Sequence, residues 1–238
     1  MLAANLLYRK KSGNGILQLE YEGTPGSQNF IDSSGGRTPK TIFPKTTIDN
    51  SLPAKYGSTS GLFYGSQGAA GLYYDYARYP DLMPGLQDYT FETYCYLPTI
   101  SNDNGRFLNM GVSAGSSLYA NFHVYGGANL WFGIGNSQSG PNLFNIAQTD
   151  GSVPAAAWFH MACCRAGNTY RLFLNGIQKA IGTETTKTNL TFDTTGVVAI
   201  GCMYQGNYSA NFGSINGHFD RTILTVGLAK YTSNFTPS

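Results

Sequence analysis

Apolar and polar residues alternate with a period of two along Trp158–Ala180, which reads WFHMACCRAGNTYRLFLNGIQKA. This alternation, interrupted twice by short turn sequences, predicts three successive antiparallel strands. The turns are Ala166–Thr169 and the dipeptide Asn175-Gly176, which tolerates the positive φ angles of a type I′ hairpin. The predicted register places Cys163 opposite Leu172, so that one face of the meander is apolar. Such a pattern is typical of an antiparallel sheet that buries one face.

A second group of strands is predicted at Phe107–Val112, Leu118–Tyr125 and Asn129–Ile134, the last two joined by a glycine-rich turn. Every other residue of the last two strands is apolar, and we expect these residues to face the core. The apolar positions are Ala120, Phe122, Val124, Leu130, Phe132 and Ile134. The reverse face combines aromatic rings with amide groups and is therefore chemically different.

That reverse face is the candidate ligand-binding site. Sugars present apolar C–H faces and hydroxyl edges, so their sites combine a stacking ring with amide, imidazole or phenol groups. In the alternative interpretation, a loop or a neighbouring subunit covers Trp131 and Tyr125, because aromatic side chains are usually buried. The predicted ligand-binding residues are Trp131, Tyr125, His123, Asn121, Tyr119 and Asn129.

Composition supports an all-β protein. The chain has 238 residues, with 30 Gly, 17 Tyr and 14 Phe but only 12% charged residues. Glycine and aromatic residues suit short strands and tight turns, and long helix-forming runs with a period of 3.6 are missing. A single sandwich domain of this length buries a sufficient core without a metal or disulfide. We therefore predict a two-sheet antiparallel β-sandwich.

Charge and cysteine usage exclude several classes of protein. The formal charge of +2 is too small for a nucleic-acid-binding surface, and no apolar run is long enough to insert into a membrane. The four cysteines lack the spacing of a disulfide framework or a zinc site, so we expect them to act as small hydrophobic residues in a reducing compartment. They are Cys95, Cys163, Cys164 and Cys202.

The sequence predicts no catalytic residues. It contains no G-x-S-x-G elbow, P-loop or dinucleotide-binding fingerprint. Glycoside hydrolysis requires two carboxyl groups about 5 to 10 Å apart. Glu20 and Glu22 are the nearest approximation because they share a strand face, but we interpret them as structural. We expect His160 to make a structural hydrogen bond and the protein not to be an enzyme.

Several segments resemble one known family. The meander fits its pattern W-x-H-x-A-x-x-R, a turn and a strand ending in N-G, and the C-terminal AKYTSNFTP fits its closing A-x-Y-T-x-N-F-T-P. Earlier strands follow in the same order at Leu17–Gly23, Phe30–Gly35, Lys55–Gly65 and Thr90–Pro98. These segments resemble the laminin-G-like, concanavalin-A-like jelly-roll domains of bacteriophage structural proteins, over roughly residues 16–237. The aspartate that is frequent in the first motif is Glu22 here.

The resemblance implies a jelly roll over residues 16–238, preceded by an N-terminal arm at residues 1–15. It also implies a virion protein, on the capsid or the tail, assembled in the host cytoplasm and present in symmetric copies. The arm would contact other virion proteins, although a frayed terminus is an equal alternative. A free-standing carbohydrate-binding module or adhesin that binds a host-surface glycan is the alternative function. Related domains often hold calcium, and Asp32, Asp103, Asp150 and Asp220 could supply oxygen ligands. Because these aspartates are scattered and form no D-x-D-x-D pattern, we predict no metal or cofactor.

Overall fold

The computed structural model describes residues 15–42, 46–64, 71–75, 78–101, 103–111, 119–135, 142–185, 197–203 and 214–238. Most of the predicted N-terminal arm therefore lies outside the described residues. The described strands are β1 Ile16–Leu19, β2 Lys40–Ile42, β3 Thr46–Asp49, β4 Ser60–Tyr64, β5 Gly71–Asp75, β6 Tyr89–Tyr96, β7 Asp103–Gly111, β8 Tyr119–Tyr125, β9 Asn129–Gly135, β10 Asn142–Ala147, β11 Trp158–Ala166, β12 Thr169–Leu174, β13 Ile177–Thr183, β14 Val197–Ile200 and β15 Asn216–Val226.

These strands form two antiparallel sheets. The larger sheet has the order β13-β12-β11-β6-β15-β4-β3, with β1 also paired to β15, and the smaller has the order β10-β9-β8-β7-β14-β5-β2. Among the described residues the helical content is one 3-10 turn at Pro80–Leu82. The prediction of an all-β, two-sheet antiparallel sandwich is confirmed.

Aromatic rings from both sheets meet in the core. Phe91 of β6 packs edge to face on Phe122 of β8, with ring centroids 6.1 Å apart. Tyr170 of β12 stacks on Phe132 of β9 at 5.1 Å. Such rings bury large apolar areas, which supply most of the favourable free energy of folding. The inward-facing residues therefore stabilise the fold, and only residues on the outer faces and loops are placed to contact a ligand.

The predicted meander is present in the predicted register. Cys163 pairs with Leu172, and the strands are Trp158–Ala166, Thr169–Leu174 and Ile177–Thr183. Asn175 and Gly176 have φ angles of 50° and 78°, as a type I′ turn requires. Cys163 joins the main core and Cys164 lies on the opposite side of the sheet, as the alternation predicts. All four cysteines are free and buried.

The C-terminal segment, residues 227–238, lies across the outer face of the larger sheet. Tyr231 and Phe235 stack with their ring centroids 3.5 Å apart and pack on Phe173 of β12. The Phe235 backbone N–H donates to the carbonyl oxygen of Gly176 at 2.9 Å. This part of the outer face is thus covered by the chain itself.

Candidate functional site

All six predicted ligand-binding residues lie on the outer face of the smaller sheet, where β8 pairs with β9. The register places Tyr119 opposite Gly135, Asn121 opposite Gly133, His123 opposite Trp131 and Tyr125 opposite Asn129. The intervening residues Phe122 and Phe132 are fully buried in the core. We call this surface, formed by the six predicted residues, the Trp131 face.

The indole ring of Trp131 lies directly over Gly133 on the same strand. A Cβ atom added to Gly133 would lie only 2.7 Å from Cζ3 of that ring, so no larger residue fits below it without a shift. Gly135 has the same relation to Tyr119, whose hydroxyl oxygen would lie 2.6 Å from an added Cβ atom. The two glycines let aromatic rings approach the backbone of the sheet. The spacing W-x-G-x-G in the sequence is a signal that could have indicated this arrangement.

Two partly exposed rings flank a buried imidazole on the Trp131 face. The His123 ring is 4.7 Å from Trp131, at an interplanar angle of 88°, and 5.5 Å from Tyr125. Tyr125 is 51% exposed and Trp131 is half-buried, whereas His123 is buried. Ring surface that stays in contact with water is available for stacking on a ligand.

The edge strand β10 continues the face beyond Trp131. Ala147 pairs with Trp131 and Asn145 pairs with Gly133, and both side chains are exposed. Ala147 places only a methyl group next to Trp131, while Asn145 offers both a hydrogen-bond donor and an acceptor. The sequence analysis missed both residues because they belong to a strand that it did not predict.

Other predicted residues support the face from within the sheet. The Asn109 amide donates to Oδ1 of Asn121 at 2.8 Å, and both side chains are buried. Tyr119 is also buried, and burial raises the pKa of its hydroxyl. Asn129 shapes the turns at the end of β9, since its amide donates to the Gly126 carbonyl oxygen and accepts from the Gly151 N–H. Direct contact of these residues with a ligand remains a prediction.

The aspartates considered for calcium do not converge in the described part of the chain. Asp32 is buried, accepts hydrogen bonds from the Gln18 and Ser34 N–H groups, and pairs with Arg37 at 2.8 Å. Asp150 pairs with Lys179 at 2.8 Å, and hydrogen bonds from Lys179 and Ser152 lower its pKa to about 2.

The other two calcium candidates add no cluster. Asp220 is buried and accepts the Tyr56 N–H at 2.8 Å, and burial raises its pKa to about 6. The side chain of Asp103 lies outside the described residues. No three His, Cys, Asp or Glu side chains form a possible metal cluster within the described ranges. The resemblance to calcium-binding relatives therefore finds no support in the three described aspartates.

The acidic residues of the first-strand motif make structural contacts. Glu22 accepts hydrogen bonds from the Ser58 N–H at 3.0 Å and from the Ser58 hydroxyl at 2.9 Å. Burial alone would raise the pKa of Glu22, but hydrogen bonds from Ser58 and Thr59 outweigh it and lower the pKa. Glu20 lies 3.5 Å from the guanidinium group of Arg221. Both carboxylates thus connect strands and loops.

A serine, a histidine and an aspartate also meet on the larger sheet. The Ser60 hydroxyl lies 3.0 Å from Nδ1 of His218, and Asp49 lies 3.8 Å from the same nitrogen. A catalytic triad requires the two groups to contact opposite ring nitrogens. This cluster therefore lacks the geometry of a proton relay.

A sandwich of two many-stranded antiparallel sheets with these crossovers is the architecture of a jelly roll. The family model of the concanavalin A-like lectin/glucanases superfamily, Laminin_G_3, matches residues 70–220. This match spans more than half of the chain, which therefore belongs to that superfamily. No curated protein sequence matches the chain.

Two solved structures with the same fold come from carbohydrate-active proteins. Domain 4 of AbnA, an extracellular GH43 arabinanase of Geobacillus stearothermophilus in complex with arabinotriose, is similar with a TM-score of 0.54 and 13% identity; 91% of this chain and 84% of that chain are covered. The CBM40 of a Ruminococcus gnavus IT-sialidase, bound to α2,3 sialyllactose, has a TM-score of 0.50 and 17% identity, over 68% of this chain and 88% of that one. At these identities the similarity establishes the fold alone.

None of the described residues belongs to a helix that is long and apolar enough to span a membrane.

Proposed function

We propose that this protein is a non-enzymatic carbohydrate-binding module that binds a saccharide on the Trp131 face. The observation that carries the proposal is the position of the Trp131 ring, which lies over Gly133 and stays half-buried beside the exposed residues Asn145 and Ala147. A pyranose or furanose ring stacks its apolar C–H groups on such a surface, and its hydroxyl groups bond to nearby amides. The module requires no cofactor.

Three further observations support a saccharide ligand. The Asp150 carboxylate near the end of β10 is paired with Lys179, so its charge is partly balanced at this end of the face. The AbnA domain and the CBM40 were both solved with oligosaccharides bound, which supports a sugar ligand at the level of the fold. The formal charge of +2 also gives no reason to prefer a strongly charged ligand.

A glycan array followed by titration calorimetry tests the proposal. We expect the native protein to bind at least one glycan, and Trp131→Ala to weaken that binding at least about tenfold, or about 1.4 kcal/mol. The control is Leu86→Ala, because Leu86 is 54% exposed and outside the Trp131 face. Unchanged affinity in Trp131→Ala, or no binding to any glycan, contradicts the proposal.

The second candidate function is display of this module on a bacteriophage particle. Its support is the resemblance of the meander and of residues 229–237 to phage jelly rolls, two segments that pack against each other here. On a virion, symmetric copies would combine weak sugar contacts through effective concentration. Residues 1–15 would contact other virion proteins.

Electron microscopy and mass spectrometry of purified particles test the virion role. We expect the chain in stoichiometric amounts on the capsid or tail, with residues 1–15 protected from proteolysis. Its absence from particles would contradict this role and leave the carbohydrate-binding proposal intact.

A further inference from the structure

The outer face of the larger sheet carries a second row of aromatic side chains, in which Trp158 and Tyr96 are partly exposed and His218 is buried. We propose that this row, formed by Trp158, Tyr96 and His218 and called the Trp158 row, is a second saccharide-binding surface. It shares with the proposed function the class of ligand but none of its residues.

The row runs across three neighbouring strands. Trp158 of β11 pairs with Tyr96 of β6, and Tyr96 pairs with His218 of β15. The Tyr96 ring centroid is 5.9 Å from the Trp158 ring and 6.2 Å from the His218 ring. Leu62 of β4 continues the row beside His218, and Tyr64, two residues further along β4, is 44% exposed. The surface is long enough for more than one sugar ring.

Hydrogen bonds hold the row in place before any ligand binds. The Trp158 indole N–H donates to the Pro53 carbonyl oxygen at 3.0 Å, while the ring stays half-buried. Tyr96 is half-buried and lies between two neighbouring rings. Rings with fixed orientation lose little conformational entropy on binding, which favours affinity.

His218 provides a neutral polar group within the row. The Ser60 hydroxyl and the Asp49 carboxylate both lie on the Nδ1 side of the buried imidazole, and neither contacts Nε2. Burial lowers the pKa of His218, and the neutral ring therefore persists at neutral pH. A neutral imidazole suits a sugar hydroxyl, which can both donate and accept a hydrogen bond.

The position of the row argues against other classes of ligand. Strands β6 and β15 are central in the sheet and are paired on both sides, so no free backbone edge is available for an added peptide strand. Charges of both signs lie close by, with Asp49 beside His218 and Lys55 over the Tyr94 ring at 5.4 Å. This balance does not favour a polyanion.

The two surfaces lie on opposite outer faces of the sandwich. A single chain would therefore hold two saccharide segments that approach from opposite sides. Such a bivalent module can cross-link polysaccharide chains and gains avidity from the second contact.

The two tryptophans of the chain, Trp131 and Trp158, allow each surface to be observed separately. The full chain is labelled with fluorotryptophan, and its two fluorine resonances are assigned with Trp131→Phe and Trp158→Phe. The probes are neutral hexasaccharides of glucose, xylose and arabinose units and the glycans bound in the array. We expect a binding saccharide to shift both resonances in the native protein. The Trp158 resonance should shift by the same amount in Trp131→Phe as in the native protein.

Tyr96→Ala should weaken the response of Trp158 about tenfold, whereas Tyr96→Phe, which keeps the ring, should preserve it. Thermal unfolding of both variants shows whether they fold. A Trp158 resonance that no saccharide shifts, or that shifts equally in folded Tyr96→Ala, overturns the inference. If Trp158 alone responds, the inference holds and the proposed function of the Trp131 face fails. If Trp131 alone responds, the proposed function holds and the inference about the Trp158 row fails. If neither resonance responds, both proposals are overturned.

Discussion

The outer faces of the two sheets carry similar side chains, but those on the larger sheet are partly covered by the C-terminal segment. On the larger sheet, Glu92 and His160 are buried next to the C-terminal segment, whose Phe235 lies 5.6 Å from the His160 ring. On the smaller sheet, Tyr125 is 51% exposed and Trp131 is half-buried. Aromatic and polar residues on an outer strand face can therefore be covered by another segment, as His160 is, or stay partly exposed, as Trp131 and Tyr125 do.

The covered region is held by one buried carboxylate. Glu92 accepts hydrogen bonds from Tyr231 at 2.6 Å and from Lys230, and it lies 3.4 Å from Nε2 of His160. Burial alone would raise the pKa of Glu92, but hydrogen bonds from His160, Lys230 and Tyr231 outweigh it and lower the pKa to about 2. His160 therefore has the structural role that the sequence suggested.

The largest expected effect comes from Glu92→Gln, which removes the charge that holds the C-terminal segment. Because the pKa falls from 4.5 to about 2 on folding, this carboxylate stabilises the native state above pH 4.5, and that contribution is lost as the pH falls towards 2. We expect the free energy of unfolding at neutral pH to fall by about 2 to 3 kcal/mol, as measured by urea denaturation.

Glu20→Gln is the matched control for this change. Glu20 is half-buried and its ion pair with Arg221 is partly exposed, so its loss should cost less than about 1 kcal/mol. Equal losses in the two variants would contradict the role of Glu92.

The next largest effect concerns the Trp131 face and is tested with Gly133→Ala. The added methyl group would collide with the Trp131 ring and cost about 1 to 3 kcal/mol of stability, as overpacking usually does. In the Trp131→Ala background the same change should cost much less, because the ring is gone. Thermal and urea unfolding of the single and double variants measure this coupling. Additive effects would show that Trp131 does not lie over Gly133.

A smaller effect is expected when Phe235→Ala removes one of the two stacked rings of the C-terminal segment. Phe235 is only half-buried, so the free energy of unfolding should fall by about 1 to 2 kcal/mol, less than for a core phenylalanine. Leu228→Ala in the same segment is the control, because Leu228 is 52% exposed. Saccharide binding on the Trp131 face should not change in either variant, and a loss there would contradict the independence of the two faces.

The smallest effect has the opposite sign and concerns the buried carboxylate of Asp220. Burial raises its pKa from 3.8 to about 6, so its contribution to stability is greatest below pH 3.8 and decreases as the pH rises through 6. Asp220→Asn should therefore gain about 1 kcal/mol relative to the native protein at about pH 8, and nothing at about pH 4. If the unfolding free energies of Asp220→Asn and the native protein differ equally at both pH values, the pKa of Asp220 is not raised on folding.

Much of the architecture could be predicted from local patterns. Alternation in Trp158–Ala180 indicated three strands and their register, since a side-chain period of two leaves only one buried face. The same rule placed Tyr119, Asn121, His123 and Tyr125 together on one face of β8, as the structure shows.

Contacts between distant segments could not be predicted in this way. Periodicity assigns a residue to a strand face, but it does not show which remote segment lies over that face. Burial of His160 under Phe235, the position of Trp131 over Gly133 and the alignment of Trp158 with Tyr96 and His218 all depend on packing in three dimensions. Strand identity is a local property of the chain, whereas the exposure of a binding surface results from its long-range packing.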